Sequence, residues 1–505
     1  MEQDNQGVFI YELRLKPSPQ EICVLNQRLD MARKIYNACL GEALKRLQRM
    51  RESKRYQAAF KLTNKARTAA FKAIRKHYQF SEYDMHEFVK ILRKDSFLES
   101  HIDSSTAQKL ATRAFNSVCQ YALGKRGRPR YKSFHRFSSV EGKSNVTGIR
   151  WQDGKVVWGK DFRCSVIHDL KDKHGVEYHA LSKETKYVRL LRRKLKGHPV
   201  WFVQLVQKGR PHQKTKNKLG RDIVGLDIGP SSIAIVGEDK AQLQAFCPEI
   251  DDTSQDIERL QRRMSRMMRL NNPDNYEPDR IITNKNGHQK KKLGKVKKGV
   301  RTWNRSLRYL GLQREVSELH RKMAGQRKTS HGRLVNQILG LGIEIRTESL
   351  SYKSLQKNFG RSVGKRAPGL FIESLKYKAE NAGGQVIEFN TRTTALSQSC
   401  QCGAKQKKSL KERWHRCVDC GIEAQRDLYS AFLARFVEEE RLDRCQALLA
   451  WPGAEVLLEQ ALSNLEETMN SKLRLASFGI NQRLNGLSVK EGSVVNKALD
   501  DVAVA

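Results

Sequence analysis

The sequence has no run of about 18 apolar residues, so no membrane-spanning helix is expected. Its first residues, MEQDNQGVFIYELRLK, carry acids early and no apolar core, so no secretory signal is expected there either. No repeat recurs at a fixed period. Acid is scarce: 54 Asp and Glu stand against 95 Lys and Arg, a formal net charge of +41 over 505 residues. Such an excess says little about fold and much about a partner, which should be a polyanion. Paired cysteine spacing is absent over most of the chain. Cys23, Cys39, Cys119, Cys164, Cys247 and Cys445 are scattered singly, which fits a reducing compartment rather than a disulfide framework. Cytoplasmic residence with nucleic acid as the polyanion is the expectation. A ribosome-associated or membrane-surface basic protein is the alternative that composition leaves open.

The charge is uneven. Val437–Ala505 holds 11 acidic and 7 basic residues, a net of −4, so the first 436 residues carry +45. The length suggests about three domains. GVFIYELRLK alternates and reads as a strand, and Gln20–Met50 has apolar residues at helical spacing. Helical pattern continues to about Leu123, followed by the basic loop GKRGRPRYKSF. Short alternating runs from Thr147 to Gln207 predict an antiparallel β-domain, and a basic linker covers Lys208–Asp222. Two apolar runs flanking GPSS in Ile223–Asp239 predict a hairpin. Helices are expected over Ser254–Leu270, Val300–Leu339, Pro368–Ala382 and Asp427–Glu440, with strands over Gly342–Leu350 and Gln385–Asn390. A polar interruption with KKKLGKVKKG separates the first two helices. Between Lys285 and Arg308 lie ten Lys or Arg and no acid, a stretch that tracks phosphate or is a solvated loop. In the tail, a short helix near 454–468 followed by disorder is expected.

Four thiols fall within 21 residues, as Cys400-x-Cys402 and Cys417-x2-Cys420. Two short-spaced pairs on two turns are the usual way to converge thiolates on one ion. Gly403 and Gly421 follow the pairs directly, where a tight turn around sulfur favours glycine. Four cysteines leave no open coordination position, so a structural zinc is expected; free or redox-active thiols are the alternative. His415 stands beside the second pair and is expected at the surface.

Chemistry is sought in the α/β stretch around the thiols. Asp227 ends an apolar strand, Glu348 ends a later one, and Asp427 starts the helix after the thiols. Three acids at the ends of separate elements can hold two Mg²⁺ ions for phosphodiester cleavage. Each has a plainer reading: a turn residue for Asp227, a helix N-terminal carboxylate for Asp427. Glu344 shares a strand face with Glu348 and competes with it.

The order of these features resembles the TnpB family of RNA-guided nucleases and the related type V CRISPR effectors. The matching segments are GLDIGPSSIAIV, IRTESL, LKYKAENAGGQVIEFN with TRTTALSQSCQCG, and QRDLYSAFLA. FIYELRLKPSPQE…ARKIYNACL and GRPRYKSF also resemble such proteins, so the likeness covers roughly 7–436 and is most specific over 223–436.

The resemblance implies a multidomain α+β protein. It would have a first wedge strand (1–16), a helical recognition domain (17–135) and an antiparallel, barrel-like wedge domain (136–215). An RNase H-like (RuvC) α/β nuclease domain (216–395) would follow, then an inserted zinc ribbon (396–424), a third-motif helix (425–440) and a partly disordered tail (441–505). It implies an Mg²⁺- or Mn²⁺-dependent DNA endonuclease acting in the prokaryotic cytoplasm at the nucleoid. Its partners would be a structured guide RNA and target double-stranded DNA, with no membrane and an open oligomeric state. Asp227, Glu348 and Asp427 would bind the two catalytic ions, and Cys400, Cys402, Cys417 and Cys420 one zinc. Arg126, Arg128, Arg130, Lys132, Lys290, Lys291, Lys292 and Arg426 are the candidate nucleic-acid contacts. Many relatives carry Asn two places after the third aspartate; here that place is Tyr429. A guide-directed DNA-binding protein without cleavage and a strand-joining transposase are the competing readings.

Overall fold

The computed structural model describes residues 7–283, 287–409, 411–468, 476–480 and 482. It divides the chain into two units, Met1–Lys214 and Thr215–Ala505. In the first, strand β1 (Val8–Leu15) leads into helix α1 (Pro19–Glu52). Ser18 starts that helix. Its Oγ accepts from the Glu21 N–H at 3.3 Å, and its own N–H donates to Glu21 Oε2 at 2.6 Å. This reciprocal cap satisfies two donors that a helix start otherwise leaves orphaned. Leu25, Leu29, Ala32, Ile35, Tyr36, Cys39 and Leu40 are all buried, the apolar stripe that the spacing predicts. Helices α2 (Lys54–Ala59), α3 (Asn64–His77), α4 (Glu82–Lys94) and α5 (Ser104–Ala122) follow.

Strands β2 (Ser139–Glu141), β3 (Ile149–Gln152), β4 (Lys155–Trp158) and β5 (Phe162–Ile167) come next, then a short helix α6 (Val176–Leu181) and the long hairpin β6 (Thr185–Leu195) and β7 (His198–Lys208). With β1 they form a seven-stranded antiparallel sheet in the order β2-β6-β7-β1-β5-β4-β3. The sequence suggested a boundary at 135/136 between helices and sheet. Leu29, Ile35 and Phe115 from helices and Trp158, Val203 and Leu205 from strands belong to one hydrophobic core. The basic loop before β2 is pinned from α1: the Asn37 side chain accepts from Lys132 N–H at 2.8 Å and donates to the Lys132 carbonyl at 2.9 Å. Arg126, Arg128 and Arg130 are exposed, and Lys132 is half-buried.

The second unit is built on a five-stranded mixed sheet in the order β10-β9-β8-β13-β14. Strands β8 (Ile223–Ile228), β9 (Ser232–Val236) and β10 (Ala241–Ala245) form an antiparallel meander. Helices α7 (Asp251–Asn271) and α8 (Leu307–Leu339) follow, separated by a hairpin of β11 (Arg280–Thr283) and β12 (Gln289–Lys292). Then come β13 (Glu344–Glu348), α9 (Tyr352–Arg366), α10 (Pro368–Asn381) and β14 (Gln385–Phe389). β13 lies parallel to both β8 and β14. After a turn of helix α11 (Thr391–Thr394), the thiol segment carries strands β15 (Trp414–Arg416) and β16 (Glu423–Gln425). Helix α12 (Arg426–Ala434), the two-residue strands β17 (Val437–Glu438) and β18 (Arg441–Leu442), helix α13 (Arg444–Thr468) and a short turn at Ala476–Phe478 follow.

Period-two alternation assigns the two faces of the sheet. Val224, Leu226 and Ile228 pack with Leu334, Val335 and Ile338 of α8 and Phe371 and Leu375 of α10. Ala234 and Val236 pack on the other face with α12, α13 and the thiol segment. No described helix is long and apolar enough to cross a membrane.

Several expected boundaries are corrected. The helix expected from Val300 begins at Leu307, because Ser306 Oγ caps it by accepting from the Tyr309 N–H at 3.3 Å. The residues before it are tied back to α7, with the Asn304 N–H donating to Asn272 Oδ1 at 2.6 Å. Among the described residues the polar interruption holds the paired strands β11 and β12, and Arg269 of α7 donates to the Gly294 carbonyl at 2.6 Å. The helix expected to run to Glu440 stops at Ala434, and Glu439 and Glu440 turn the chain with φ of 44° and 65°. The tail helix is longer than expected and includes Pro452. The disorder expected at 485–505 lies outside the described residues, as does Lys285.

Candidate active site

The three acids meet on the sheet face that α12 covers. Ile223, Gly225 and Asp227 share that face of β8. The Ile223 carbonyl accepts from Arg435 Nε at 3.1 Å, just beyond the end of α12. A Cβ on Gly225 would meet the Ala431 carbonyl oxygen at 1.9 Å, so only glycine lets α12 lie so close. Asp227, two residues on, therefore points toward the start of α12, where Asp427 sits at the second helical position. On β13, Thr347 is paired with Leu226, which sets Glu348 beside Asp227 at the C-terminal ends of parallel strands.

The competition within β13 resolves on geometry. Glu344 is paired with Ile223 at the opposite end of the strand, about 13 Å from Glu348 along it. It is committed to Arg346 at 2.7 Å, and Arg346 also donates to the carbonyls of Arg435 and Val437 at 2.9 and 3.0 Å.

Burial pushes the Asp227 carboxyl well above the ordinary carboxylate range, and the charges of Asp427 and Glu348 push it further; Arg426 and Arg413 act in the opposite direction. Glu348 is also raised, by burial, against a hydrogen bond from the Leu396 backbone. Clustered hard oxygen donors are a set that a divalent cation would neutralise. Two cations of the chain already lie on one of them. Asp427 Oδ1 is 3.2 Å from Arg426 Nη2 and 3.7 Å from Arg413 Nη1. Arg413 escaped sequence reasoning because it is one of many basic residues in KERWHRC. Arg426, expected at the nucleic-acid surface, is instead buried, and donates to the Glu412 carbonyl at 2.7 Å as well as to Asp427. Lys290, Lys291 and Lys292 are exposed on β12, with Lys291 3.2 Å from Asp279.

The four thiols converge. All four Sγ atoms lie within 4.8 Å of one another, with Cys400–Cys420 at 3.5 Å and Cys402–Cys417 at 3.6 Å. A tetrahedral ion with sulfur at about 2.3 Å holds its ligands about 3.8 Å apart, so the set has the size of a metal site. Among the described residues it is the one group of three or more such ligands this close; the acids are wider apart. The two pairs turn alike. Cys400 N–H donates to Ala404 O and Cys417 N–H to Ile422 O, each at 2.9 Å, with Gly403 and Gly421 at φ of 105° and 72°. The loop of the second pair is one residue longer, which is the difference between one and two intervening residues.

His415, expected at the surface, is buried and is not among these ligands. Its Nδ1 accepts from Lys408 Nζ, and its ring stacks on Tyr429 with centroids 4.3 Å apart. Burial, and then the Lys408 charge, push its imidazole down to about 4. Tyr429 does not address the acids. Its hydroxyl lies 3.4 Å from Cys400 Sγ and accepts the Gln401 N–H at 3.1 Å.

Residues 369–433, which hold the four thiols and Asp427, match the family model of the Cas12f1-like TNB domain. This bears out the resemblance to compact type V effectors read from the sequence. No curated protein matches the chain. Among solved structures it is similar to a Cas12f1–sgRNA–target DNA complex, at 12% identity over 85% of this chain and 98% of that one, with a TM-score of 0.40. It is also similar to a CRISPR-Cas12f ternary complex (13% identity, 82% and 81% covered, TM-score 0.26). A third similar structure is the mini-RNA-guided endonuclease CRISPR-Cas_phi3 (12%, 89% and 92%, 0.32).

Proposed function

We propose that the chain is an RNA-guided DNA endonuclease that uses Asp227, Glu348 and Asp427 to hold catalytic divalent ions. The observation that carries this is the placement of the three acids, from three separated segments, on one face of the sheet: the β8–β13 register sets Glu348 beside Asp227, and the close approach of α12 at Gly225 brings Asp427 to the same end. The strand order, with a meander joined to two parallel strands, supports an RNase H-like nuclease core. Bound Mg²⁺ would supply an activated water and stabilise the leaving 3′ oxygen. The chain's own part is to fix the three carboxylates, with Arg413 and Arg426 set against Asp427. Structural zinc at Cys400, Cys402, Cys417 and Cys420 fits the closed four-sulfur geometry. The net charge suits a guide RNA and its heteroduplex with DNA, both tracked by backbone contacts, while the protein reads a short motif beside the target. The first unit would hold the RNA and heteroduplex, through the exposed Arg126, Arg128 and Arg130 among others.

One observation favours a second reading, guide-directed binding without cleavage: Arg413 and Arg426 already lie on Asp427. A plasmid assay with the co-purified RNA separates the two. Mg²⁺-dependent cutting at a site matching that RNA is the expected result; specific binding with no cutting selects the second reading.

A further inference from the structure

Tyr429 follows Asp427 by two residues in α12, yet its hydroxyl is spent on the thiol segment. Besides Cys400 Sγ at 3.4 Å and the Gln401 N–H at 3.1 Å, it lies 3.4 Å from Gln401 Oε1. The phenol has one proton to give. A metal-bound thiolate has none, so with an ion in place any Tyr429–Cys400 bond runs from the phenol to the sulfur, in competition with Gln401 Oε1, which the phenol also reaches as donor. The ring itself is fixed in place. It is 1% exposed, stacked on His415 at 4.3 Å and met edge-on by Trp451 at 5.4 Å. The other side of Asp427 is fixed to the same segment, because Arg426 donates to the carbonyls of Glu412 and Ser409 at 2.7 and 3.4 Å. The first turn of α12 is thus stitched to the thiol segment on both flanks of Asp427.

We propose that Tyr429 is a positioning residue that links the four-thiol metal site to Asp427. An ion would draw Cys400 to one place, the phenol bonds that sulfur, and the first turn of α12 is held with Asp427 toward Asp227. The last link rests on the part of the proposed function that makes the three acids a divalent-ion site, not on cleavage; the bond to the metal-bound sulfur rests on neither. Partners of metal ligands typically contribute about 10–100-fold to metal affinity.

The test uses the full chain with its co-purified RNA and Co²⁺ loaded in the thiol site. Tyr429→Phe keeps the ring and removes only the hydroxyl. Ser430→Ala is the control: Ser430 Oγ is buried with no partner among the described residues. Tyr429→Phe is expected to shift the thiolate-to-cobalt charge-transfer band and to speed cobalt loss to a chelator about tenfold or more. Mn²⁺ affinity at the acids, read by electron paramagnetic resonance without any cleavage, should fall with it, and Ser430→Ala should change neither. An unmoved cobalt band and chelation rate in Tyr429→Phe overturn the proposal. So does a weakened cobalt site with Mn²⁺ affinity unchanged. Because Mn²⁺ binding is read directly, a wild type that binds Mn²⁺ and shows the expected Tyr429→Phe effects but never cuts refutes the nuclease reading and leaves this link standing.

Discussion

The carbonyl oxygen of Ala431 occupies the space where a side chain on Gly225 would begin, 1.9 Å from the position of its Cβ. The obstacle is backbone, so no rotamer change relieves it. Gly225→Ala should therefore push α12 off β8 and move Asp427 with it. The expected cost is about 3 kcal/mol, the upper end for overpacking. A fall in the denaturant midpoint at unchanged slope is the signature; an unchanged midpoint would contradict the packing described.

The acids should act as a unit. Asp227→Ala, Glu348→Ala and Asp427→Ala are each expected to remove nearly all cleavage, because effects within one constellation are not additive. Guide-directed binding should survive all three. Glu344→Ala breaks the pair with Arg346 at 2.7 Å and should lower stability while leaving cutting largely intact. A cleavage assay in which Glu344→Ala is dead and Glu348→Ala active would reverse the assignment.

Acidity gives a signed prediction. Asp227 and Glu348 have raised carboxyl pKa values in the folded protein. For such groups the contribution to stability is present at low pH and lost as pH rises through the folded value. Metal-free Asp227→Asn should therefore melt higher than wild type at pH 7 and gain less at pH 4. Mg²⁺ should raise the melting temperature of wild type at pH 7 and do so much less for the variant. Calorimetry showing the same gain at both pH values would count against the buried, coupled cluster.

The thiol site should carry one ion per chain. Elemental analysis should find zinc at about one equivalent in wild type and none in Cys417→Ser/Cys420→Ser. Since structural zinc contributes folding free energy, the double variant should be poorly soluble or locally unfolded. Well-folded wild type without metal would refute the site.

The exposed lysines of β12 make a salt-dependent prediction. Charge reversal at Lys290 and Lys292 should weaken RNA or DNA binding and flatten its salt dependence, by up to about one unit of slope for each phosphate no longer neutralised. An identical slope would show that the hairpin does not touch phosphate.

Periodicity and turn residues made much of this fold legible. The α1 stripe, the β8–β9 hairpin and the two thiol pairs all follow from local chemistry. What stayed hidden depends on distant partners. Helix α9 carries Gly360 and Gly364 and a kink at Phe359 (φ −121°), which break its pattern. The turn that ends the α12 segment uses two glutamates at positive φ, residues that announce no turn. His415 and Arg413 sit in a run of basic residues, and only the packing of α12 and α13 shows that one is buried and the other faces Asp427. That Glu348 rather than Glu344 lies beside Asp227 follows from the β8–β13 register, which no single-strand pattern contains.

Gln425 is at once the last residue of β16 and the cap of α12, its Oε1 accepting the Leu428 N–H at 2.7 Å. The thiol segment therefore joins the helix of Asp427 through a junction of no residues at all. A tether of even a few residues would give the inserted segment orientational entropy of its own. Here there is none to lose or regain, so the segment cannot swing as a mobile lid while Asp427 stays still. Lengthening the chain at 425/426 would turn a rigid lever into a loose pendant, whereas loops farther from the junction can vary in length without that penalty.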